Sequence, residues 1–270
     1  MPVETVEYHF GRLNLIATYT DKAQFLLDSL TTHVEVESYG YRWGVFSVGQ
    51  RLFEDRTFIH GLLVKFKPTE EDIVDERTHS LTTAFVPNKA QAKSSFFLEP
   101  KSGVIAFRPV TGISHRQFKH MFARLIEKAN GNLLINAEVQ SIDEQREIVE
   151  ALKRFDQVRF IKVVLHPSNP NNREIWKRTD ERLREMRVRK FREVYIGDDI
   201  KVGQDSEVLS DIIMAGDGYG YAEIRGVKDG QPVVASTEEV AVTQQVPRDA
   251  DDDGILRALW NRLCEIWKRV

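Results

Sequence analysis

The sequence contains a single cysteine, Cys264, among its 270 residues. One thiol excludes an internal disulfide bond and a cysteine-based zinc site, and such usage predicts a reducing, cytoplasmic environment. No stretch approaches the ~18 apolar residues of a membrane span, and the first residues do not resemble a signal peptide. Internal repeats and low-complexity tracts are also lacking. These absences predict a globular protein of the cytoplasm.

Motifs of the common enzyme classes are scarce as well. No glycine-rich phosphate loop precedes a helix, and no serine or cysteine nucleophile motif is present. His115, His120 and His166 have no metal-ligand partner at i+4 and no cysteine nearby, so we expect neither a metal site nor a cofactor. The composition, with 41% hydrophobic and 29% charged residues, is that of an ordinary globular protein.

The net charge of −3 conceals a separation of charge along the chain. Residues 171–195 sum to +4, whereas residues 196–254 sum to −10, with fourteen acids and four bases. A local basic surface can bind phosphates while acidic surfaces elsewhere face solvent. The pattern therefore predicts an electrostatic binding surface, with nucleic acid as its first candidate partner.

Hydrophobic periodicity predicts an α+β fold, with mixed sheets backed by helices in two lobes. The division is expected near Pro167, between an N-terminal α+β domain (1–167) and a second unit (168–270). Ser114 and Gln117 form a capping box before a helix that reaches Ala129. Strands are expected near 3–17, 34–46, 58–66, 96–107, 133–139 and 158–165, helices near 21–30 and 143–155, and a short helix plus loop over 69–93.

The second unit is predicted to contain a basic helix, an acidic β-rich segment and a C-terminal amphipathic helix. Residues 210–246 resemble a β meander whose turns fall at 216–218 and 228–230, where glycine and aspartate cluster. Residues 249–254 form an acidic linker that also suits a helix N-terminus. The last helix, residues 255–270, has one apolar stripe: Leu256, Leu259, Trp260, Leu263, Ile266, Trp267 and Val270.

Residues 169–194 start with a turn-rich run and continue into the predicted basic helix, which has nine bases and five acids in all. Its buried side is expected to include Trp176, Leu183, Met186, Phe191 and Val194. Arginine outnumbers lysine seven to two, and the planar guanidinium suits phosphate. The alternative is a solvated helix with local ion pairs. We predict two phosphate-contacting edges, the first formed by Arg178, Arg182, Arg189 and Arg192 and the second by Lys177, Arg184 and Arg187.

A second basic stripe lies on the helix that follows Ser114. Arg116, His120, Arg124 and Lys128 recur every four residues and therefore share one face. The opposite face is apolar and is expected to be buried. We predict Arg116, Arg124 and Lys128 as a second set of nucleic-acid contacts.

The carboxylates of the second unit permit an enzyme alternative. Asp198 with Asp199, or Asp217 with Glu223, could bind Mg²⁺ in a nuclease. Arg225, however, stands where the familiar nuclease pattern has lysine, and acids in hairpin turns explain these positions more simply. A protein-interaction module that does not bind nucleic acid is a further alternative.

The C-terminal helix also has more than one interpretation. Packing on the core of its own chain is the favoured one. Dimerisation through Leu256, Trp260, Leu263 and Trp267 is the second. The basic residues Arg257, Arg262, Lys268 and Arg269 would also permit membrane-surface binding.

Several passages resemble RexA-like proteins of the lambdoid phage exclusion system. They are residues 25–30, the strands of 43–66, the hairpin of 95–107, the strand of 158–167, and the acidic, β-rich end with its charged amphipathic helix. The resemblance implies a non-enzymatic, dimeric DNA-binding protein of phage defence, acting with a membrane-channel partner. The arginine-rich segment after residue 172 does not match the family pattern, so no site residues are carried over.

The sequence therefore predicts a non-enzymatic protein that binds nucleic acid, double-stranded DNA first and RNA second, through phosphates with little base-specific readout. Complementary charge suggests that the acidic segment covers the basic helix in a resting state. Asp251, Asp252 and Asp253 are the candidates for this cover.

Overall fold

The computed structural model describes residues 4–16, 21–131, 136–143, 145–168, 173–238 and 241–268. Within them the chain forms six helices and two antiparallel sheets, which confirms the predicted α+β class. A 3-10 turn, Glu174–Trp176, leads directly into the fourth helix. The helices are α1 (Lys22–Thr31), α2 (His115–Ala129), α3 (Gln145–Arg154), α4 (Lys177–Glu185), α5 (Glu207–Met214) and α6 (Asp252–Lys268).

The first sheet has eight strands and draws them from distant parts of the chain. They are β1 (Thr5–Ile16), β2 (Val36–Ser38), β3 (Tyr41–Phe53), β4 (Arg56–Asp75), β5 (Ser80–Glu99), β6 (Val104–Phe107), β7 (Asn136–Ser141) and β12 (Thr243–Pro247). Their order is β12-β1-β6-β5-β4-β3-β2, and β7 also pairs with β1. The chain thus returns to its first sheet after it has built the second.

The second sheet has four strands, β8 (Gln157–Leu165), β9 (Phe191–Ile196), β10 (Gly220–Lys228) and β11 (Gln231–Ser236), in the order β11-β10-β8-β9. Two lobes exist, but the boundary predicted near Pro167 is wrong. Strand β8 precedes Pro167 and belongs to the second sheet, while β12 and α6 belong to the first. The second lobe is therefore an insertion between β7 and β12.

Local capping signals place the helices of the first lobe correctly. The Asp21 carboxylate accepts hydrogen bonds from the backbone amides of Ala23 and Gln24 at 2.8 and 3.1 Å, which begins α1. The predicted capping box of α2 is confirmed, because Ser114 and Gln117 exchange bonds of 3.0 and 3.3 Å. The helix ends at Ala129, as expected.

The helix predicted to run to Val194 is wrong in its second half. Helix α4 ends at Glu185, Arg187 adopts φ of 52° in the following turn, and Phe191 begins strand β9. Strand β9 pairs with β8 over its whole length, so tertiary pairing overrides the helical spacing. Trp176 and Leu183 are buried as predicted, whereas Met186 and Val194 are exposed.

The meander predicted over residues 210–246 begins too early. Residues 210–214 lie in α5, which the side chain of Ser206 caps by accepting a hydrogen bond from Leu209. Gly218, with φ of 86°, lies in the turn between α5 and β10 and not between two strands. The turn at residues 228–230 does connect β10 to β11, as predicted.

Residues 69–93 form no helix. They belong to β4, β5 and the turn between them; each strand is 20 residues long, and the two pair from Ile59–Leu98 out to Asp75–Ser80. The outer part of this hairpin is exposed on both faces. Because neither face is buried there, the alternation of apolar and polar residues that marks a strand is absent.

Helix α6 packs on the core of its own chain, which confirms the favoured interpretation. Leu256, Leu259 and Leu263 are buried in a cluster with Tyr8 and Phe10 of the first sheet. The dimer face predicted through Leu256 and Leu263 is therefore wrong, since both side chains are already covered. Trp260 of that predicted face makes edge contacts with Phe53 and Phe58, and the side chain of Trp267 lies outside the described residues.

Candidate nucleic-acid interface

Buried contacts at the junction of the two sheets anchor residues 173–194, which we call the basic segment. The Trp176 indole donates to the Asp217 carboxylate at 2.7 Å, and Arg173 donates to both oxygens of that carboxylate at 2.7 and 2.8 Å. From β1, Arg12 donates to the Asp217 carbonyl at 2.8 Å and to the Tyr219 hydroxyl at 2.9 Å. The segment therefore starts from a rigid position at the meeting of both lobes.

Two residues predicted to contact nucleic acid are held by buried carboxylates. Arg184 donates to Asp180 at 2.7 Å, and Arg182 lies 3.4 Å from Asp211. Both carboxylates are fully buried. Burial raises the pKa of Asp211 to about 6, against the opposing effects of the Thr179 hydroxyl and Arg182. These two arginines have a structural role in the lobe.

Four arginines of the segment are exposed and have no ion pair within the part of the chain that the structure describes. They form the group that we call the free arginines: Arg178, Arg187, Arg189 and Arg192. Lys177 is exposed too, but it lies 3.3 Å from Glu174.

The two predicted edges of a single helix are wrong, because the free arginines come from three elements. Arg178 lies on α4, Arg187 and Arg189 lie in the turn after it, and Arg192 lies on β9. On β9, Arg192 alternates with the half-buried Phe191 and Glu193 and therefore faces solvent. The group is held by a helix, a turn and a strand that all share the same packed lobe.

The basic stripe of α2 is present as predicted. Arg116, His120, Arg124 and Lys128 are exposed, while the opposite side of the helix is buried in the core of the first lobe. The Lys128 ammonium donates to the carbonyl of Glu35 at 2.6 Å. Arg116 and Arg124 have no carboxylate within ion-pair distance among the described residues.

Glu138 connects the α2 side of the molecule to the basic segment. It lines a groove of about 230 Å³ together with Arg116 and His120. From the second lobe, the Lys190 ammonium lies 2.7 Å and the His166 ring nitrogen 3.1 Å from its two oxygens. The hydrogen bond from His166 is the main cause that lowers the pKa of Glu138 to about 2, with Lys190 adding to it against the effect of burial.

We expect a Glu138→Gln variant to lose about 2 kcal/mol of stability at neutral pH, because charge-assisted bonds to two partners are weakened. The folded pKa of about 2 lies below the ordinary value of 4.5. The wild-type contribution is therefore complete above pH 4.5 and disappears as the pH falls toward about 2. Urea unfolding at pH 6 and pH 3 should show the variant and wild type converging at the lower pH.

Glu37→Gln supplies the control for this change, since Glu37 is exposed on β2. It should leave stability at pH 6 nearly unaltered. Equal losses in the two variants would contradict a link between the lobes through Glu138.

The carboxylates proposed for a nuclease do not form a metal site in the residues described. Both oxygens of Asp217 accept bonds from Arg173 and Trp176, and Glu223 lies 2.5 Å from Arg225. Nowhere in the described chain do three or more potential His, Cys, Asp or Glu ligands cluster. The carboxylate of Asp217 instead holds the basic segment in place.

The acidic linker does not cover the basic segment. Asp252 and Asp253 lie 3.4 and 2.6 Å from Arg51 of the first lobe, and Asp251 accepts a bond from the Gly254 amide at 2.8 Å. Among the acids of residues 196–254, Asp211 and Glu207 lie within ion-pair distance of Arg182, and Asp217 pairs with Arg173.

Sequence reasoning missed Glu138 and His166. They are separated by 28 residues, and Glu138 and Lys190 by 52. No local spacing relates such positions. Glu138 lies on β7 of the first sheet, whereas His166 and Lys190 belong to the second lobe, so only the tertiary fold brings them together.

Across the described residues, no helix is both long and apolar enough to span a membrane. No curated protein matches the chain. A family model described as "Domain of unknown function (DUF4747)" matches residues 27–263. Because this match covers most of the sequence, the chain belongs to the DUF4747 family.

Proposed function

We propose that this protein binds nucleic acid, with double-stranded DNA as the first candidate, through phosphate contacts and without catalysing a reaction. The free arginines carry the proposal. Four exposed guanidinium groups within 15 residues of chain, without acidic partners in the described structure, form a strong local positive field. Phosphate oxygens accept bidentate hydrogen bonds from such groups.

The groove at Glu138 supports a continuous surface. Arg116 and His120 line one side of it, while Lys190, beside Arg189 in sequence, reaches Glu138 from the second lobe. A duplex that lies over the free arginines could therefore extend toward the α2 stripe. A surface of this kind positions the backbone and reads few base edges.

The exposed side chains near the free arginines favour a duplex over a single strand. Proteins that bind single strands stack bases on exposed aromatic rings. The large exposed apolar residues of the second lobe are aliphatic: Ile175, Met186, Val194, Ile196 and Val234. The exposed aromatic residues in the described chain, Tyr39, Phe46 and Phe85, all belong to the first lobe.

A salt-dependent binding titration tests the proposal. The intact protein is titrated with double-stranded DNA, single-stranded DNA and RNA from ~50 mM salt upward, and Mg²⁺ is withheld or added in parallel. We expect duplex DNA to bind most tightly, with log K falling linearly against log salt, and to remain uncut. No binding at ~50 mM salt, or affinity that does not change with salt, would contradict the proposal.

The resemblance to RexA-like proteins suggests that such binding serves defence against phage. The corresponding experiment compares plating of lambdoid phages on cells that express the wild-type chain and on cells that express a variant without the free arginines. Protection that requires the free arginines would support this role, and equal plating would contradict it.

A further inference from the structure

The outer half of the β4–β5 hairpin projects from the first sheet. Strand β3 pairs with β4 over residues 56–66 of β4, and β6 pairs with β5 over residues 96–99 of β5. Beyond these points residues 69–87, which we call the arm, pair with each other over seven rungs, about 20 Å in length. In the residues that the structure describes, neither strand of the arm has an outer partner.

One face of the arm carries an exposed apolar row. Val74 lies opposite Leu81 in the register, and Phe85 lies four rungs nearer the base of the arm, on the same face. These side chains are 64%, 70% and 66% exposed. An isolated two-stranded ribbon is only marginally stable in water, and exposed apolar rows of this kind mark interaction sites.

The charge of the arm limits the choice of partner. It carries five carboxylates and one arginine, and Lys89 at its base pairs with only one of the acids, Glu71. Two arms placed side by side would repel each other. The complementary surface must therefore be basic and must also have apolar side chains.

Strand β9 provides such a surface. It is an edge strand of the second sheet, so the backbone groups on its outer side have no strand partner in the described chain. Its solvent face bears Arg192, Val194 and Ile196, with Ile196 82% exposed. Arg187 and Arg189 precede it in the adjoining turn.

We propose that the arm of one copy adds to the β9 edge of a second copy, with residues 81–85 antiparallel to residues 192–196. The arm row is exposed within its own chain, so its occupant comes from another molecule. Each copy offers one arm and one β9 edge, and reciprocal addition produces a homodimer. This interface differs from the α6 face, which is buried.

The register follows from the side chains. Antiparallel addition places Leu81 beside Ile196 and Phe85 beside Arg192, where the ring can accept the guanidinium on its face. Thr83 then lies beside Val194. Addition through β4 is disfavoured, because Asp72 at the centre of its row would face Val194 in either direction.

Cysteine cross-linking tests this pairing in the full chain. In a Cys264→Ser background, Thr83→Cys and Val194→Cys chains are mixed and oxidised. We expect a disulfide-linked dimer only in the mixture, because the Cβ atoms of opposed residues lie about 5 Å apart. A linked Thr83→Cys homodimer would indicate arm–arm pairing and would overturn the proposal. The absence of a linked dimer in the mixture would overturn it too.

The arm and a duplex would use the same basic surface at β9, so the two binding modes compete. Sedimentation without nucleic acid measures the dimer alone, and its outcome does not depend on the proposed function. We expect wild type to dimerise and the Leu81→Asp, Phe85→Asp double variant to raise the dimer Kd by on the order of 100-fold. Leu52→Asp changes a residue that is equally exposed, at 72%, on the neighbouring β3–β4 hairpin. A monomeric wild type, or equal weakening by Leu52→Asp, would overturn the proposal.

Discussion

Replacement of Arg187, Arg189 and Arg192 by alanine is expected to lower the affinity for a short DNA duplex by about 100-fold or more at ~50 mM salt. Each lost phosphate contact makes the slope of log K against log salt less negative by about 0.9, so the triple variant should lose about 2.7 from the slope. The three side chains are exposed and have no ion pair in the described residues. Stability should therefore change little, and fluorescence anisotropy across a salt series measures the effect.

A triple variant of equal charge serves as the control. Lys201, Arg225 and Arg248 are exposed, and they pair with Asp199, Glu223 and Glu4. Their replacement by alanine changes the net charge by the same amount but leaves the free arginines in place. Equal losses of affinity in the two triple variants would show that binding follows net charge and would contradict a defined interface.

Asp217→Ala should lower the free energy of unfolding by about 3–5 kcal/mol, because it removes the carboxylate shared by the buried Trp176 indole and the largely buried Arg173 guanidinium. Arg173 would lose this charge partner and the Trp176 indole its acceptor. The substitution should also loosen the start of the basic segment and thereby weaken DNA binding indirectly. Urea unfolding followed by tryptophan fluorescence measures the loss.

Asp198→Ala is the matched substitution on an exposed loop and should cost less than about 0.5 kcal/mol. Asp217→Asn keeps the size of the side chain and one acceptor oxygen. Its loss in free energy of unfolding should lie between those of Asp217→Ala and Asp198→Ala. If Asp217→Ala were no more harmful than Asp198→Ala, the junction would not depend on this carboxylate.

Local signals in the sequence predict the elements that are stabilised locally. The capping box at Ser114 and Gln117 identifies α2, and the leucine stripe identifies α6, because both depend on neighbours three or four residues apart. The same reasoning fails at residues 186–194. There, Met186, Phe191 and Val194 are expected on the buried side of a helix, but long-range pairing with β8 makes residues 191–196 a strand.

The residues 210–214 show a related ambiguity. Ile212, Ile213 and Met214 are all buried, and a short apolar run fits a buried strand as well as a buried helix. Ser206, which caps α5, is the local signal that separates the two. The prediction for the arm is wrong for a different reason. Neither face of this two-stranded ribbon is buried, so its sequence has no alternation of apolar and polar residues.

At the candidate interface, the sequence identifies the basic segment. It does not show which of its arginines pair with carboxylates and which remain exposed. The partners of Arg173 and Arg182 are Asp217 and Asp211, which follow them by 44 and 29 residues. Only the packing of α4 against α5 and the junction reveals which guanidinium groups are already bound. Arg184 is held by Asp180, and the four free arginines have no carboxylate partner among the described residues.

The pairing of β12 with β1 has a consequence for synthesis of the chain. When the ribosome has produced β1 to β7, the sheet still lacks one edge strand and the helix that covers Tyr8, Phe10 and Phe58. The inserted lobe can fold while this aromatic face remains open to water. The period before α6 emerges is therefore when the nascent chain is most prone to aggregation and most dependent on chaperones.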